Sequence, residues 1–183
     1  LAAPSANPFG YLSPTRAQHV ADALGEKVDV ILDAGPSDCG IESTIVAFEP
    51  VPTLLRPGAV AREEIEAAIG PLASAPAGGP VLAPGHLPFH YAPRTPLRIV
   101  RFAEVAMAGR ARAGALALSA SIEGYAAARR LSAAGDLREA AANLFEALHE
   151  LDALGLERID AEPIPERGLG LAIVDRLRRA AAR

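Results

Sequence analysis

The first side chains able to do chemistry are two hydroxyls and an amide, Ser5, Asn7 and Ser13, close to the start of the sequence. Prolines and a glycine between them exclude a continuous helix and force turns. The apolar residues 1–3 are typical of the end of a buried strand. Ser13 followed by Pro14 predicts an N-cap and the first residue of a helix. Hydroxyls and backbone N–H groups at a helix N-terminus bind anions. These residues alone favour a capped turn that binds no ligand, with a phosphate-binding turn as the alternative.

A second group of polar side chains follows further along the chain. Arg56 leaves an apolar run and enters a Pro-Gly turn, a setting that suits bidentate binding of phosphate or carboxylate by a planar guanidinium. An internal salt bridge is the alternative. Ser43 and Thr44 begin a strand-like segment, where such residues are often only good strand formers. Glu42 before them is interpreted as a solvated charge, and we assign it no catalytic role.

His90 and Tyr91 lie between two prolines, so we expect a stiff, extended backbone around them. The alternatives are a hydrogen-bonded structural histidine and a tyrosine that anchors the segment by packing. The remaining histidines, at positions 19, 86 and 149, lack the spacing of metal ligands. We therefore predict that the protein supplies no metal site.

Hydrophobic periodicity and turn residues predict an alternation of helices and strands. A Pro/Gly/Ala-rich segment at 71–88 is typical of a linker, and the alternation beyond it favours a small parallel α/β domain. We predict an α/β fold with domains at 1–70 and 96–183 joined by a linker or lid at 71–95. The predicted helices are 14–24, 62–69, 136–154 (with a capping box from Asp136 to Glu139) and 171–182, and the predicted strands are 28–32, 43–48, 53–56, 97–100, 115–118 and 158–161.

Composition narrows the function classes. The net charge is −4, from 18 basic and 22 acidic residues, which does not favour a dominant nucleic-acid-binding role. One cysteine, Cys39, excludes an internal disulfide, and no apolar run is long enough for a membrane span. We expect a cytoplasmic protein. The pattern at Gly168 and Gly170 lacks the third glycine of a dinucleotide site. The arginines near the end are interpreted as a solvated helix face, with tRNA or partner contact left open; they are Arg176, Arg178, Arg179 and Arg183.

Five motifs follow one another along the whole length of the chain. They are Pro4-Ser5-Ala6-Asn7 with Gly10 and Ser13-Pro14-Thr15, then Gly40-Ile41-Glu42-Ser43-Thr44-Ile45-Val46, Leu55-Arg56-Pro57-Gly58, His90-Tyr91-Ala92-Pro93, and Pro165-Glu166-Arg167-Gly168-Leu169-Gly170-Leu171-Ala172-Ile173. In this order the motifs resemble the threonylcarbamoyl-AMP synthases, the Sua5/YrdC family, in its longer Sua5 form. It is the order of the motifs that makes the resemblance specific.

The resemblance implies a YrdC-like twisted-sheet domain, represented by its C-terminal part, followed by a Rossmann-like Sua5 domain. It implies synthesis of threonylcarbamoyl-AMP and pyrophosphate from L-threonine, bicarbonate and ATP, with Mg²⁺ carried by ATP, for modification of the adenosine next to the tRNA anticodon. No catalytic residue is assigned. The residues implied are Ser5, Ser13, Arg56 and Tyr91 for ATP, Ala3 and Ser43 for L-threonine, and Asn7, Thr44 and His90 as secondary candidates.

The resemblance also sets expectations about context. Family members carry a longer N-terminal portion with a Lys-x-Arg motif that contacts nucleotide and substrate, and this sequence has no equivalent. We therefore expect it to be the C-terminal part of such an enzyme, and do not predict activity of this chain alone. Expected partners are the tRNA threonylcarbamoyl transferase proteins that accept the product, with contact to tRNA or double-stranded RNA left open. A non-catalytic nucleotide- or RNA-binding module is the alternative function; a hydrogenase-maturation-type carbamoyl enzyme is disfavoured.

Overall fold

A computed structural model describes residues 3–75 and 90–182 as a mixed α/β structure with two sheets. Two short 3₁₀ turns, Gly25–Lys27 and Phe102–Glu104, accompany the regular elements. In chain order the elements are α1 (Ala17–Leu24), β1 (Ile45–Ala47), β2 (Thr53–Arg56), α2 (Arg62–Ile69), β3 (Ala73–Ser74), β4 (Leu97–Ile99), α3 (Met107–Arg110), β5 (Ala113–Ala117), β6 (Ala127–Arg130), α4 (Leu137–Asp152), β7 (Arg158–Ala161) and α5 (Gly170–Ala181).

The first sheet has three strands in the order β1-β2-β3. β1 and β2 are antiparallel, as predicted, and β3 joins β2 in parallel. The predicted bounds of β2 and α2 are confirmed, whereas β1 is shorter than predicted. At the start of α2 the Glu64 carboxylate accepts the backbone N–H of Ala61. Only this half of a capping box forms, because alanine has no side-chain acceptor.

The second sheet contains four parallel strands in the order β4-β7-β5-β6. The parallel α/β prediction for this part of the chain is confirmed. β7 has its predicted bounds, and β4 and β5 differ from prediction by one or two residues at their ends. β6 was not predicted, because its sequence Ala-Ala-Arg-Arg lacks β-branched and aromatic residues. Pairing with the buried β5 decides its conformation.

The N-terminus of α4 is capped differently from the predicted capping box. The Asp136 carboxylate accepts the backbone N–H groups of Arg138 and Glu139, as an N-cap should. The Glu139 carboxylate does not return to Asp136, because it accepts the hydroxyl proton of Ser132. Ser132 Oγ in turn accepts the N–H of Asp136. The hydrogen bonds at this helix end therefore include Ser132, in the loop after β6.

Two other predictions near the start of the chain are wrong. Helix α1 begins at Ala17, with Arg16 at the N-cap position and no side-chain cap, so Ser13 and Pro14 lie before the helix. Residues 28–32 form no strand; their backbone pairs with none of the described strands, and Leu32 is 91% exposed. Of the apolar residues 1–3, positions 1 and 2 lie outside the described residues, and Ala3 is exposed and not in a strand.

The segment before β1 packs directly on the helices of the second sheet. Leu12 and Ile41 belong to the same buried cluster as Phe145 of α4 and Ile173 of α5. Gly40, at φ +68°, lies so close to α4 that a Cβ there would be 2.3 Å from the Ala142 carbonyl oxygen. Glycine is therefore required for this close approach. The predicted phosphate-binding turn and the C-terminal α/β layer share one core.

The predicted domain bounds stay a prediction, and residues 76–89 of the predicted linker lie outside the described residues. No helix within 3–75 and 90–182 is long and apolar enough to cross a membrane. In the same ranges no three His, Cys, Asp or Glu side chains are grouped so that they could hold a metal ion.

The shared core predicts a large effect of one N-terminal leucine on stability. Leu12→Ala should lower the free energy of unfolding by about 2–5 kcal/mol, because it leaves a cavity among α4 and α5 side chains. Leu32→Ala is the matched control, and its exposed side chain should change stability by less than about 0.5 kcal/mol. Urea unfolding followed by circular dichroism measures both; equal effects of the two substitutions would contradict this packing.

Candidate active site

The predicted phosphate-binding turn borders a cavity of about 320 Å³. The cavity brings Ser5 and Ser13 together with Glu42, which lies just before β1. Ser5 is exposed, whereas Ser13 is buried. The complete lining consists of Ser5, Ala6, Ser13, Pro14, Ser37, Gly40, Ile41 and Glu42.

Glu42 lies at the centre of this region and is not the solvated charge we predicted. Ser13 Oγ donates to Glu42 Oε1 at 2.5 Å, and Arg176 Nε donates to Glu42 Oε2 at 2.8 Å. Both carboxylate oxygens therefore have a donor. A hydroxyl has one proton, so Ser13 donates it to Glu42 in this conformation, and donation to a phosphate requires the hydroxyl to turn.

Arg56 and Ser43 are in direct contact. Nε and Nη2 of Arg56 donate to the backbone carbonyl of Ser43 at 3.2 and 2.8 Å. Nη2 also lies 3.4 Å from Ser43 Oγ. Arg56 is only 6% exposed. The guanidinium thus fixes the residue that follows Glu42, so the predicted ATP-binding arginine and threonine-binding serine form one unit.

A glycine is required after Arg56 and Pro57, because another backbone segment passes very close to position 58. A Cβ at Gly58 would lie 2.3 Å from the carbonyl oxygen of Glu42 and 2.4 Å from the backbone nitrogen of Thr44. The neighbouring N–H of Ala59 donates to that same carbonyl at 2.9 Å. Such an approach of two backbone segments excludes any side chain.

Arg176 is the functional candidate that sequence reasoning missed. We interpreted it as part of a solvated face, but it is 1% exposed and binds Glu42. Of the other arginines in that group, Arg178 is exposed and pairs with Glu166, and Arg179 pairs with Asp175; residue 183 lies outside the described residues. The signal was available: Arg176 follows Ile173 by three residues and precedes Ala180 by four, which places it on the apolar stripe of α5.

Tyr91 is a buried residue that packs against side chains of α4 and α5. It is 2% exposed, has a positive φ of 60°, and its ring centroid is 5.7 Å from that of Phe145. The Arg176 guanidinium lies over the same ring, 5.0 Å from its centroid. Burial raises the pKa of the Tyr91 phenol. These contacts fit the anchoring alternative, and contact with nucleotide stays a prediction.

His90 lies near the charged side chains of Glu42, Arg56 and Arg176. Its ring contacts those of Phe9 and Tyr91, with centroids 5.9 and 4.1 Å away. Burial lowers the pKa of His90, the Glu42 carboxylate opposes this shift, and the nearby arginines add to it. The neutral form of the imidazole is therefore favoured. Among the described residues its Nδ1 has no hydrogen-bond partner.

The other predicted residues have structural contacts of their own. The Asn7 side-chain amide donates to the carbonyls of Pro8 and Tyr11, which closes its own turn. Thr44 Oγ1 donates to the Val60 carbonyl and accepts the Val60 N–H. Ala3 is exposed. The structure thus brings Ser5, Ser13, Ser43 and Arg56 into one continuous region, while their ligand contacts stay predictions.

Comparison with known proteins shows the family of this chain. Residues 60–182 match the family described as threonylcarbamoyl-AMP synthase, C-terminal domain. Residues 1–58 match a second family, described as telomere recombination, whose model name includes Sua5 and YrdC. The chain belongs to the Sua5/YrdC family.

Similar Sua5/YrdC proteins come from a bacterium and an archaeon. The chain is 37% identical to the threonylcarbamoyl-AMP synthase of Bacillus subtilis, covering 99% of the chain and 57% of that protein. It is 39% identical to the threonylcarbamoyl-AMP synthase of Pyrococcus abyssi, with coverage of 98% and 57%. The crystal structure of P. abyssi Sua5 complexed with L-threonine superposes with a TM-score of 0.83 at 36% identity, over 98% of this chain and 57% of that one. The chain therefore spans little more than half the length of these relatives.

A histidine pair lies beside the site, between α1 and α4. The rings of His19 and His149 stack with centroids 3.9 Å apart. His19 Nδ1 accepts the Thr15 N–H at 3.1 Å, and its Nε2 lies 3.6 Å from the Glu146 carboxylate. His149 Nε2 donates to the Ser13 carbonyl at 3.1 Å. Burial lowers the pKa of both imidazoles.

The histidine pair predicts acid sensitivity. With folded-state pKa values below the usual 6.5, the unfolded chain binds more protons, so the free energy of unfolding should fall as the pH is lowered below 6.5. The decrease should be present before the carboxylates titrate, and His149→Gln, which keeps a donor for the Ser13 carbonyl but does not titrate, should reduce it. Urea unfolding between pH 7.5 and 5 measures this effect. An unchanged pH dependence in the variant would contradict it.

Proposed function

We propose that this chain is part of an L-threonylcarbamoyladenylate synthase. L-threonine and bicarbonate condense to a carbamate with loss of water and a proton, the carbamate oxygen attacks the α-phosphate of ATP, and pyrophosphate leaves. One P–O bond forms and one breaks, and the product is threonylcarbamoyl-AMP. The names of the relatives in B. subtilis and P. abyssi, together with family matches over both parts of the chain, support this reaction.

The single observation that carries the proposal is the connected set of contacts from Ser13 through Glu42 and Ser43 to Arg56. It joins the predicted phosphate-binding turn to the predicted threonine-binding residue within one region. A nucleotide and an amino acid that react with each other need adjacent sites, since proximity and orientation provide much of the rate enhancement. A set of scattered binding residues would not provide this.

The chemistry we propose relies on positioning and on charge. The hydroxyls of Ser5 and Ser13 and the guanidinium of Arg56 would bind phosphate oxygens, and Mg²⁺ would arrive with ATP as part of the substrate. Charge-assisted hydrogen bonds from an arginine to phosphate are the strongest of these contacts. Charge that develops on the leaving pyrophosphate would be stabilised by the same groups. Little general acid–base chemistry need come from the protein.

The threonine side of the site would be formed around Ser43, whose backbone is held by Arg56, and by the backbone near Ala3. The archaeal relative crystallised with L-threonine supports an amino-acid site in this family. The product would pass to tRNA threonylcarbamoyl transferase proteins. Contact of this chain with tRNA or double-stranded RNA stays a prediction.

The reaction is tested by its dependence on both small substrates. In the longest natural protein that contains this sequence, pyrophosphate release from ATP should require L-threonine and bicarbonate together. Omission of either should reduce release to the background rate, because no nucleophile then forms. ATP binding without such release would support the alternative, a non-catalytic nucleotide-binding module.

The role of Arg56 is tested by substitution in the same protein. Arg56→Ala should raise KM for ATP about tenfold or more, since a charge-assisted contact contributes roughly 1.5–3 kcal/mol. Arg112→Ala is the control, because that side chain is 77% exposed and pairs with Glu157. Steady-state kinetics with varied ATP measure both variants. An unchanged ATP affinity in a folded Arg56→Ala protein would refute the assignment.

A further inference from the structure

Helix α5 of the C-terminal layer places one positive charge inside the candidate site. Arg176 is 1% exposed, donates from Nε to Glu42 Oε2 at 2.8 Å and donates from Nη1 to the Pro57 carbonyl at 3.0 Å. Glu42 and Pro57 lie on the two backbone segments that meet at Gly58. The Arg176 side chain therefore holds both backbone segments in place.

The charge balance around Glu42 gives this contact a consequence for anion binding. Glu42 lines the cavity beside Ser5 and Ser13, where the phosphates of ATP are proposed to bind. A carboxylate at that place repels an incoming phosphate unless a cation neutralises it, and the interaction is strong in a partly buried site. Burial opposes the charged form of Arg176, yet Glu42 and Asp175 raise its pKa above the usual value, so the guanidinium stays charged.

The hydrogen bond from Ser13 adds a second consequence. Ser13 has one hydroxyl proton, and Glu42 Oε1 accepts it in this conformation. If the hydroxyl turns to a phosphate oxygen, Glu42 loses one donor. Arg176 then remains as the donor that holds the carboxylate in place and away from the phosphate.

We propose that Arg176 is a positioning residue that neutralises and retains Glu42, so that Ser13 is available to bind an anionic phosphate group. The C-terminal layer thereby supports ATP binding without touching ATP. The Arg176 guanidinium also stacks on the Tyr91 ring, and so restricts the position of Tyr91 as well. This inference rests on the proposed function for the identity of the anion.

A rescue experiment tests the inference. It measures direct binding of a non-hydrolysable ATP analogue to the longest natural protein containing this sequence. Arg176→Met should raise the Kd about tenfold, because it leaves an uncompensated carboxylate beside the phosphates. Glu42→Gln in the Arg176→Met background should restore most of the affinity, since the repulsive charge is then absent. Arg178→Met, on the same helix but exposed and paired with Glu166, is the matched control and should bind like the wild type.

Rescue distinguishes this role from a merely structural one. A folded Arg176→Met variant that binds the analogue within twofold of wild type would overturn the proposal, as would a double variant no better than Arg176→Met. Thermal unfolding identifies variants that do not fold. If Arg176→Met alone is unfolded but the double variant is folded and binds normally, the proposal is supported; if both are unfolded, it is overturned.

Because binding is measured without turnover, absence of pyrophosphate release in the wild type would count against the proposed function and not against this inference.

Discussion

The ion pair between Arg176 and Glu42 joins the last helix to the loop before β1, and the arrangement of the candidate site depends on it. Removal of a guanidinium from water is costly unless its donors are satisfied. Here Glu42 accepts from Nε, the Pro57 carbonyl and Asp175 accept from Nη1, and the guanidinium lies over the Tyr91 ring. Nη2 has no hydrogen-bond partner among the described residues. These contacts restrict the positions of the partners of Arg176 as well as that of its own side chain. The loop before β1 therefore takes its position from a helix more than a hundred residues later.

Close backbone packing adds rigidity to the same region. Gly40 lies against α4, and Gly58 lies against the backbone of Glu42 to Thr44, each at a distance that excludes a Cβ. Loops usually move more than the elements they connect, but here two of them are held by backbone contact and by a shared core that includes Leu12 and Ile41. The positioning role that we propose for the site needs this support, because small displacements of reacting groups reduce the rate strongly.

Local patterns gave the bounds of β2, α2 and β7, since their hydrophobic spacing and flanking turn residues are unambiguous. They failed where a distant contact decides the conformation. Residues 28–32 look like a strand but pair with no described strand, and β6 does not look like a strand but pairs with β5. Ser13 was predicted to cap a helix, yet its hydroxyl binds Glu42. At β6 and Ser13 a tertiary contact outweighs the intrinsic preference, whereas residues 28–32 have the preference for a strand but no described strand to pair with.

The sequence by itself determined the fold class and the family, because alternating periodicities and five ordered motifs are properties of the chain order alone. It also pointed to Ser13, Ser43 and Arg56, whose neighbours in the sequence restrict their backbone. Only the tertiary structure revealed that Glu42 and Arg176 lie at the centre of the candidate site. The physical reason is that a charged side chain looks the same in a sequence whether water or another charge solvates it. The partner that makes burial of Arg176 favourable lies 134 positions away.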